Sequence, residues 1–206
     1  MIALREQFNE DRRDALQEVV NIAMGRAGDS LAKLFGTFVE LSIPKFHLCD
    51  VAELNQALSQ NSSCGEKVTI LRQPFSGQLR GEGIALFNHS GVDELAGLMG
   101  YEGEISTNNE REMLLDVSSI LVGACLNGIA SQLSMSVSYT APSVISPNTT
   151  VKDFFTPGGL QWRYAMVMEI RLSLEHYSFT SNMLLFLAEE SVQPLIHKLD
   201  HLLDGL

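Results

Sequence analysis

The sequence predicts an α+β fold in which two pseudo-symmetric halves surround an antiparallel or mixed sheet. The composition, 45% hydrophobic and 19% charged over 206 residues, suits a chain with a well-buried core. Each half begins with a long run of helical periodicity and continues with apolar, strand-like runs. In addition, a shift of 98 residues aligns several residues of the first half with residues of the second.

The first predicted element is a helix from about Asn9 to Leu34. On a helical wheel of ~100° per residue, one face is apolar. This predicted core stripe consists of Leu16, Val19, Val20, Ala23, Ala27, Leu31 and Leu34. We expect a strand from Thr37 to Ile43 to follow, with Pro44 closing it.

Shorter elements complete the first half. In chain order they are a short helix at 51–58, a polar Gly/Ser loop at 59–65, and strands at 67–75 and 78–87. A helix then runs to about Gly100, with Ser90 as its predicted cap and Asp93 completing a capping box.

The second half opens with a predicted helix from Met113 to Leu133, after a capping box formed by Thr107 and Glu110. The elements expected after it are a strand at 134–140, a loop containing Pro142, Pro147 and Pro157, strands at 160–174 and 177–187, and an amphipathic helix at 189–203.

The two halves look like copies of one unit. A shift of 98 residues aligns Glu18 with Asp116, Asn21 with Ser119, Gly25 with Gly123, Asp29 with Asn127 and Pro44 with Pro142. A shift of 99 aligns Phe87 with Phe186. We therefore expect residues 1–206 to form a single domain made of repeat halves 8–100 and 107–206.

Charge and cysteine content exclude several classes of function. A net charge of −11, with 14 scattered basic residues, argues against nucleic acid and against anionic membrane surfaces. No apolar run approaches the ~20 residues that span a bilayer, so no membrane insertion is expected. Cys49, Cys64 and Cys125 lie far apart, which fits a reducing cytoplasm and no zinc site. His197 and His201 lack an obvious third ligand, so no metal site is predicted.

Polar residues occupy the opposite face of the first helix. Asp14, Glu18 and Asn21 are spaced i, i+4 and i+7, and Gly25 lies one turn further along the same strip. Such residues also occur on the solvated face of any amphipathic helix. A functional strip is favoured because asparagine is a mediocre helix former, and because the second half keeps the glycine but replaces the amide. Gly25 would clear space for a partner's backbone beside Asn21.

The pattern Asp14-x3-Glu18-x2-Asn21-x22-Pro44 resembles the signature of the CheC/CheX/FliY phosphatases of bacterial chemotaxis. The resemblance covers nearly the whole chain and implies an internally duplicated CheC-like fold. It also implies hydrolysis of the aspartyl phosphate of a CheY-like response regulator. In that interpretation Glu18 pairs with a receiver lysine, Asn21 orients the attacking water, and Asp14, Gly25 and Pro44 are supporting residues. The chain would need no cofactor of its own, because Mg²⁺ is expected in the receiver.

The second half departs from this signature, with Glu112, Asp116 and Ser119 at the matching positions. Serine lacks the reach and the paired donor and acceptor of an amide, so we expect a degenerate, silent second site. Asn127, further along that helix, is expected to be structural. The resemblance leaves open a non-catalytic adaptor that binds a receiver domain or a CheD-like receptor deamidase. It also leaves open a homodimer. A flagellar switch component is expected to carry a further C-terminal domain.

Overall fold

The computed structural model describes residues 8–50, 67–154 and 164–205. The helices of these ranges are α1 (Glu10–Phe35), α2 (Val92–Leu98), α3 (Thr107–Gln132), α4 (Val151–Phe154) and α5 (Glu189–Leu203). The strands are β1 (Val39–Leu41), β2 (Lys45–Asp50), β3 (Lys67–Gly77), β4 (Gly81–Asn88), β5 (Val137–Tyr139), β6 (Ser143–Thr150), β7 (Tyr164–Leu174) and β8 (Thr180–Ala188). The helix and loop predicted at 51–65, and Pro157, lie outside the described residues.

The strands form one antiparallel sheet in the order β1-β7-β8-β4-β3-β5. β2 also pairs with β7, and β6 also pairs with β3. The strands that follow α1 therefore pair with the second half, and those that follow α3 pair with the first, around the central pair β4–β8. This interleaving confirms an α+β fold with two pseudo-symmetric halves. The division into halves 8–100 and 107–206 stays a prediction.

The two long helices lie side by side on one face of the sheet, where their apolar stripes form the main core. They approach each other closely at Gly128, where an added Cβ would lie 2.5 Å from Ala23 Cβ. α3 contains an 18-residue stretch that is apolar enough to resemble a membrane span, with a mean hydropathy of 1.7. However, 67% of that stretch is buried in the fold. It is therefore a core helix of this domain.

Both ends of α1 are capped locally, and a contact with α5 holds its first turn. Asn9 caps the helix by accepting a hydrogen bond from the Arg12 backbone N–H at 3.0 Å. Gly36 ends it in the left-handed conformation at φ 65°. The Arg12 side chain reaches Asp200 of α5, with Nε 2.6 Å from Oδ1. These contacts fix the rotation of α1, and hence which of its residues face solvent.

Three predictions about helix ends and faces were wrong. Leu34 is exposed and Phe35 takes its place in the core, because the apolar face drifts by the last turn. Gly91, at φ 80°, caps α2 in place of Ser90. A Cβ added to Gly91 would lie 2.3 Å from the Phe179 backbone N. Ser106, whose backbone is extended, caps α3 in place of Thr107.

Pro44 does not close a strand as predicted. β1 covers only Val39–Leu41, and the chain resumes pairing with β7 at Lys45 after one extra residue, which makes a bulge. Within the bulge, Ser42 donates its backbone N–H to Arg171 O at 2.8 Å, and its hydroxyl accepts from Arg171 N at 2.9 Å. Pro44 is buried in this bulge, where its missing N–H costs no ladder hydrogen bond.

Two edge strands, β2 and β6, were not predicted, since the sequence there was interpreted as loop or left unassigned. The strand expected at 134–140 is shortened to Val137–Tyr139. The final helix has the predicted bounds, and β3, β4, β7 and β8 lie within a few residues of theirs.

Candidate functional site

α1 presents the predicted strip to solvent. Asp14, Glu18, Asn21 and Gly25 are all exposed, on the side of the helix opposite the buried stripe. Among the described residues, Asp14 and Glu18 have no ion-pair or hydrogen-bonding partner. Their carboxylates are therefore available to a basic group on another molecule.

The Asn21 carboxamide is held on one side only. Gln17 Nε2 donates to Asn21 Oδ1 at 3.3 Å, which leaves that oxygen a second lone pair. Within the described ranges, the amide nitrogen of Asn21 has no acceptor. Asn21 can thus accept a hydrogen bond from a water and donate another at the same time. Sequence reasoning missed Gln17, although its i, i+4 spacing from Asn21 was a usable signal.

A groove of about 580 Å³ runs beside Asn21, between α1 and the chain at 38–43. Gly25 and Gly28 form part of its helical wall, and an added Cβ on Gly25 would meet nothing within 4 Å. Phe38 and Ile43 form an apolar rim and are 64% and 74% exposed. Another protein can therefore approach Asn21 closely from this side.

No family model matches this chain. Over 138 residues it is 23% identical to the candidate CheY-P phosphatase CheC1 of Halobacterium salinarum, covering 65% of this chain and 68% of that protein. The fold is similar to FliY of Thermotoga maritima, with a TM-score of 0.70, 15% identity and coverage of 94% and 98%. It is also similar to CheX of Desulfovibrio desulfuricans, with a TM-score of 0.55, 14% identity and coverage of 82% and 99%. The chain therefore has the fold of these FliY and CheX structures and is similar in sequence to CheC1.

The residues singled out in the sequence do not all lie at one place. Asp14, Glu18, Asn21 and Gly25 share one strip of α1, and Asn21 and Gly25 line the groove. Pro44 is buried in the bulge between β1 and β2, next to the exposed Ile43. Its place in the fold therefore fits a supporting part in shaping the groove rim.

The equivalent strip on α3 differs in chemistry and in shape. Asp116 is exposed, but Ser119 is half-buried and carries no amide. Tyr139 covers the glycine of this half, since an added Cβ on Gly123 would lie 3.1 Å from Tyr139 Oη. Asn127 Nδ2 donates to the same oxygen at 2.9 Å, so Asn127 has a structural contact. The sequence offered no signal for this cover.

Other reactive groups of the described chain lie apart from this site. The ranges 8–50, 67–154 and 164–205 hold no group of three or more His, Cys, Asp or Glu residues that could bind a metal. Cys125 is fully buried, its Sγ lies 3.4 Å from Met24 Sδ, and burial raises the pKa of its thiol. A buried thiol of this kind is inert as a nucleophile.

Proposed function

We propose that this CheC-like protein is a cytoplasmic phosphatase that hydrolyses the aspartyl phosphate of a CheY-like receiver domain in chemotaxis signalling. The observation that carries the proposal is the exposed Asn21 carboxamide. Among the residues that the structure describes, its amide nitrogen has no acceptor, and the Glu18 carboxylate one turn away has no partner. The name of the Halobacterium relative supports the same substrate class.

The chemistry asks little of the chain beyond positioning. An acyl phosphate is already activated, so holding a water in line with phosphorus is a large part of catalysis. Asn21 accepts a hydrogen bond from that water through Oδ1 and donates another through Nδ2. The water attacks phosphorus, the bond from phosphorus to the aspartyl oxygen breaks, and inorganic phosphate and a free carboxylate result.

The remaining roles follow from charge. Glu18 pairs with a lysine of the receiver and so fixes the position of α1 on it. With a net charge of −11, this chain is poorly suited to neutralise a phosphoryl group itself. We expect the receiver's own Mg²⁺ and lysine to supply that positive charge. Asp14, one turn before Glu18, adds to the acidic docking strip.

The test is phosphate release from a panel of phosphorylated receiver domains. Wild-type protein should accelerate release, and Asn21→Ala should reduce that acceleration by about 100-fold or more, since misplacing a reacting group costs this much. Ser119→Ala is the matched control at the equivalent position of α3 and should keep wild-type activity. Equal losses from both changes would show that the second site works as well.

The same assay separates the phosphatase from an adaptor. If wild-type protein binds a receiver or a CheD-like deamidase but accelerates no dephosphorylation, the chain is an adaptor and the proposal is wrong. Light scattering of the purified chain tests the homodimer that the family resemblance suggests.

A further inference from the structure

The groove beside Asn21 has a counterpart in the second half that is already filled. At the shift of 98 residues, Gly25 and Asp29 on α1 correspond to Gly123 and Asn127 on α3, and Leu41 corresponds to Tyr139. There the Tyr139 hydroxyl end lies against Gly123 and accepts a hydrogen bond from Asn127 at 2.9 Å. The fold thus contains its own example of what this kind of groove holds, a phenol ring packed on a helix glycine.

In the first half, none of the described residues occupies the same place. Leu41 lies against Gly28, where its Cδ1 would be 3.6 Å from an added Cβ, and leaves Gly25 uncovered. Asp29 occupies the position equivalent to Asn127, which donates a hydrogen bond to Tyr139 in the second half. In the first half, the groove therefore presents a carboxylate acceptor at this position. Lys33 Nζ contacts only one oxygen of that carboxylate, Oδ2, at 2.6 Å.

We propose that this groove receives an aromatic side chain of the receiver domain, with the ring packed over Gly25 between α1 and the rim formed by Phe38 and Ile43. A tyrosine there donates its hydroxyl to Asp29. This inference rests on the proposed function, since the groove is continuous with Asn21 and any protein that brings a phosphate to Asn21 covers it. The unpaired carboxylates of Asp14 and Glu18 complement a basic surface around that aromatic residue.

The first experiment transfers the tyrosine and asparagine of the second half to the equivalent positions of the first half. The double variant Leu41→Tyr/Asp29→Asn supplies an internal ring and donor without changing Asn21. Affinity is measured calorimetrically with a receiver domain that wild-type protein dephosphorylates, carrying beryllofluoride on its aspartate. We expect Kd and KM to rise at least about tenfold, the loss typical of a buried anchor residue, while kcat at saturation stays near wild type. Leu202→Tyr on the exposed face of α5 is the matched control and should change neither. Wild-type affinity of the double variant would overturn the proposal.

The second arm keeps the groove testable if no receiver is a substrate. p-Cresol, the side-chain analogue of tyrosine, is titrated into the chain alone while backbone amide resonances are followed by NMR. We expect saturable shifts at Gly25 and Gly28 that disappear in the double variant. If the chain shows no phosphatase activity, such shifts would still support aromatic binding in the groove while ruling out the enzymatic proposal. The absence of shifts in that chain would rule out the groove as an aromatic-binding site.

Discussion

Glycine-to-alanine changes at two positions on the long helices test how α1 and α3 pack, and therefore how the strip is aimed. Gly25 faces open space, so Gly25→Ala should gain the helix propensity of alanine, about 1 kcal/mol. At Gly128 the new methyl group would lie 2.5 Å from Ala23 Cβ and 2.7 Å from Ala23 Cα. Favourable carbon–carbon contacts need ~3.5–4.0 Å, so the helices would have to separate by about 1 Å.

The change in unfolding free energy on Gly128→Ala is the difference between the cost of overpacking and the gain in helix propensity. Overpacking of a core costs about 1–3 kcal/mol, against the same propensity gain of about 1 kcal/mol. The propensity term cancels between the two variants, which leaves Gly128→Ala less stable than Gly25→Ala by about 1–3 kcal/mol. For a chain of this size each kcal/mol corresponds to about 2–4 °C in Tm.

Urea unfolding followed by circular dichroism measures the free energies directly. Gly97→Ala on α2 is a control, because an added Cβ there also meets nothing within 4 Å, and it should behave like Gly25→Ala. Equal stabilisation by all three changes would refute the close crossing of α1 and α3 at Gly128, and with it the orientation of the exposed strip.

Three further predictions concern single contacts. Gln17→Leu removes the hydrogen bond to Asn21 and should lower kcat by about 2- to 10-fold without raising KM, as expected for a bond of about 0.5–1.5 kcal/mol; unchanged kcat would exclude this positioning role. The hydrogen bond from Arg12 lowers the pKa of Asp200, so its stabilisation is present above the ordinary carboxyl pKa of about 3.9 and is lost as pH falls through the lowered value. Asp200→Asn should accordingly lower Tm at pH 7, and the Tm difference from wild type should shrink as pH falls below the ordinary carboxyl pKa. A Tm difference independent of pH would contradict the ion pair. Because burial raises the pKa of Cys125, its tryptic peptide should be alkylated by iodoacetamide only when the chain unfolds; mass spectrometry detecting fast labelling of native protein would disprove that burial.

The helical parts of the site could be predicted because their signals are local. The spacing of Asp14, Glu18 and Asn21 places them on one face of any helix that contains them, and the apolar stripe shows which face is buried. The exposure of Asn21 followed from that geometry alone. The prediction that Leu34 is buried was wrong, because an ideal helical wheel does not show where the last turn of a helix leaves the core.

Features that depend on pairing between distant segments could not be predicted. β2 and β6 are edge strands that pair with β7 and β3, and both are interrupted or flanked by proline, which mimics a loop in sequence. Tyr139 covers Gly123 only because β5 packs beside α3, a contact that no periodicity reports. The two helix caps differed for a simpler reason: neighbouring residues were equally suitable by composition, and only backbone conformation selects between them.

The turnover number of Asn21→Ala at saturating phosphorylated receiver tests the account most directly, because saturation removes any effect of docking. If the carboxamide aims the attacking water, turnover should fall to the receiver's own rate of dephosphorylation while the variant still binds the receiver. Turnover equal to that of wild-type protein would show that Asn21 has no part in the chemistry.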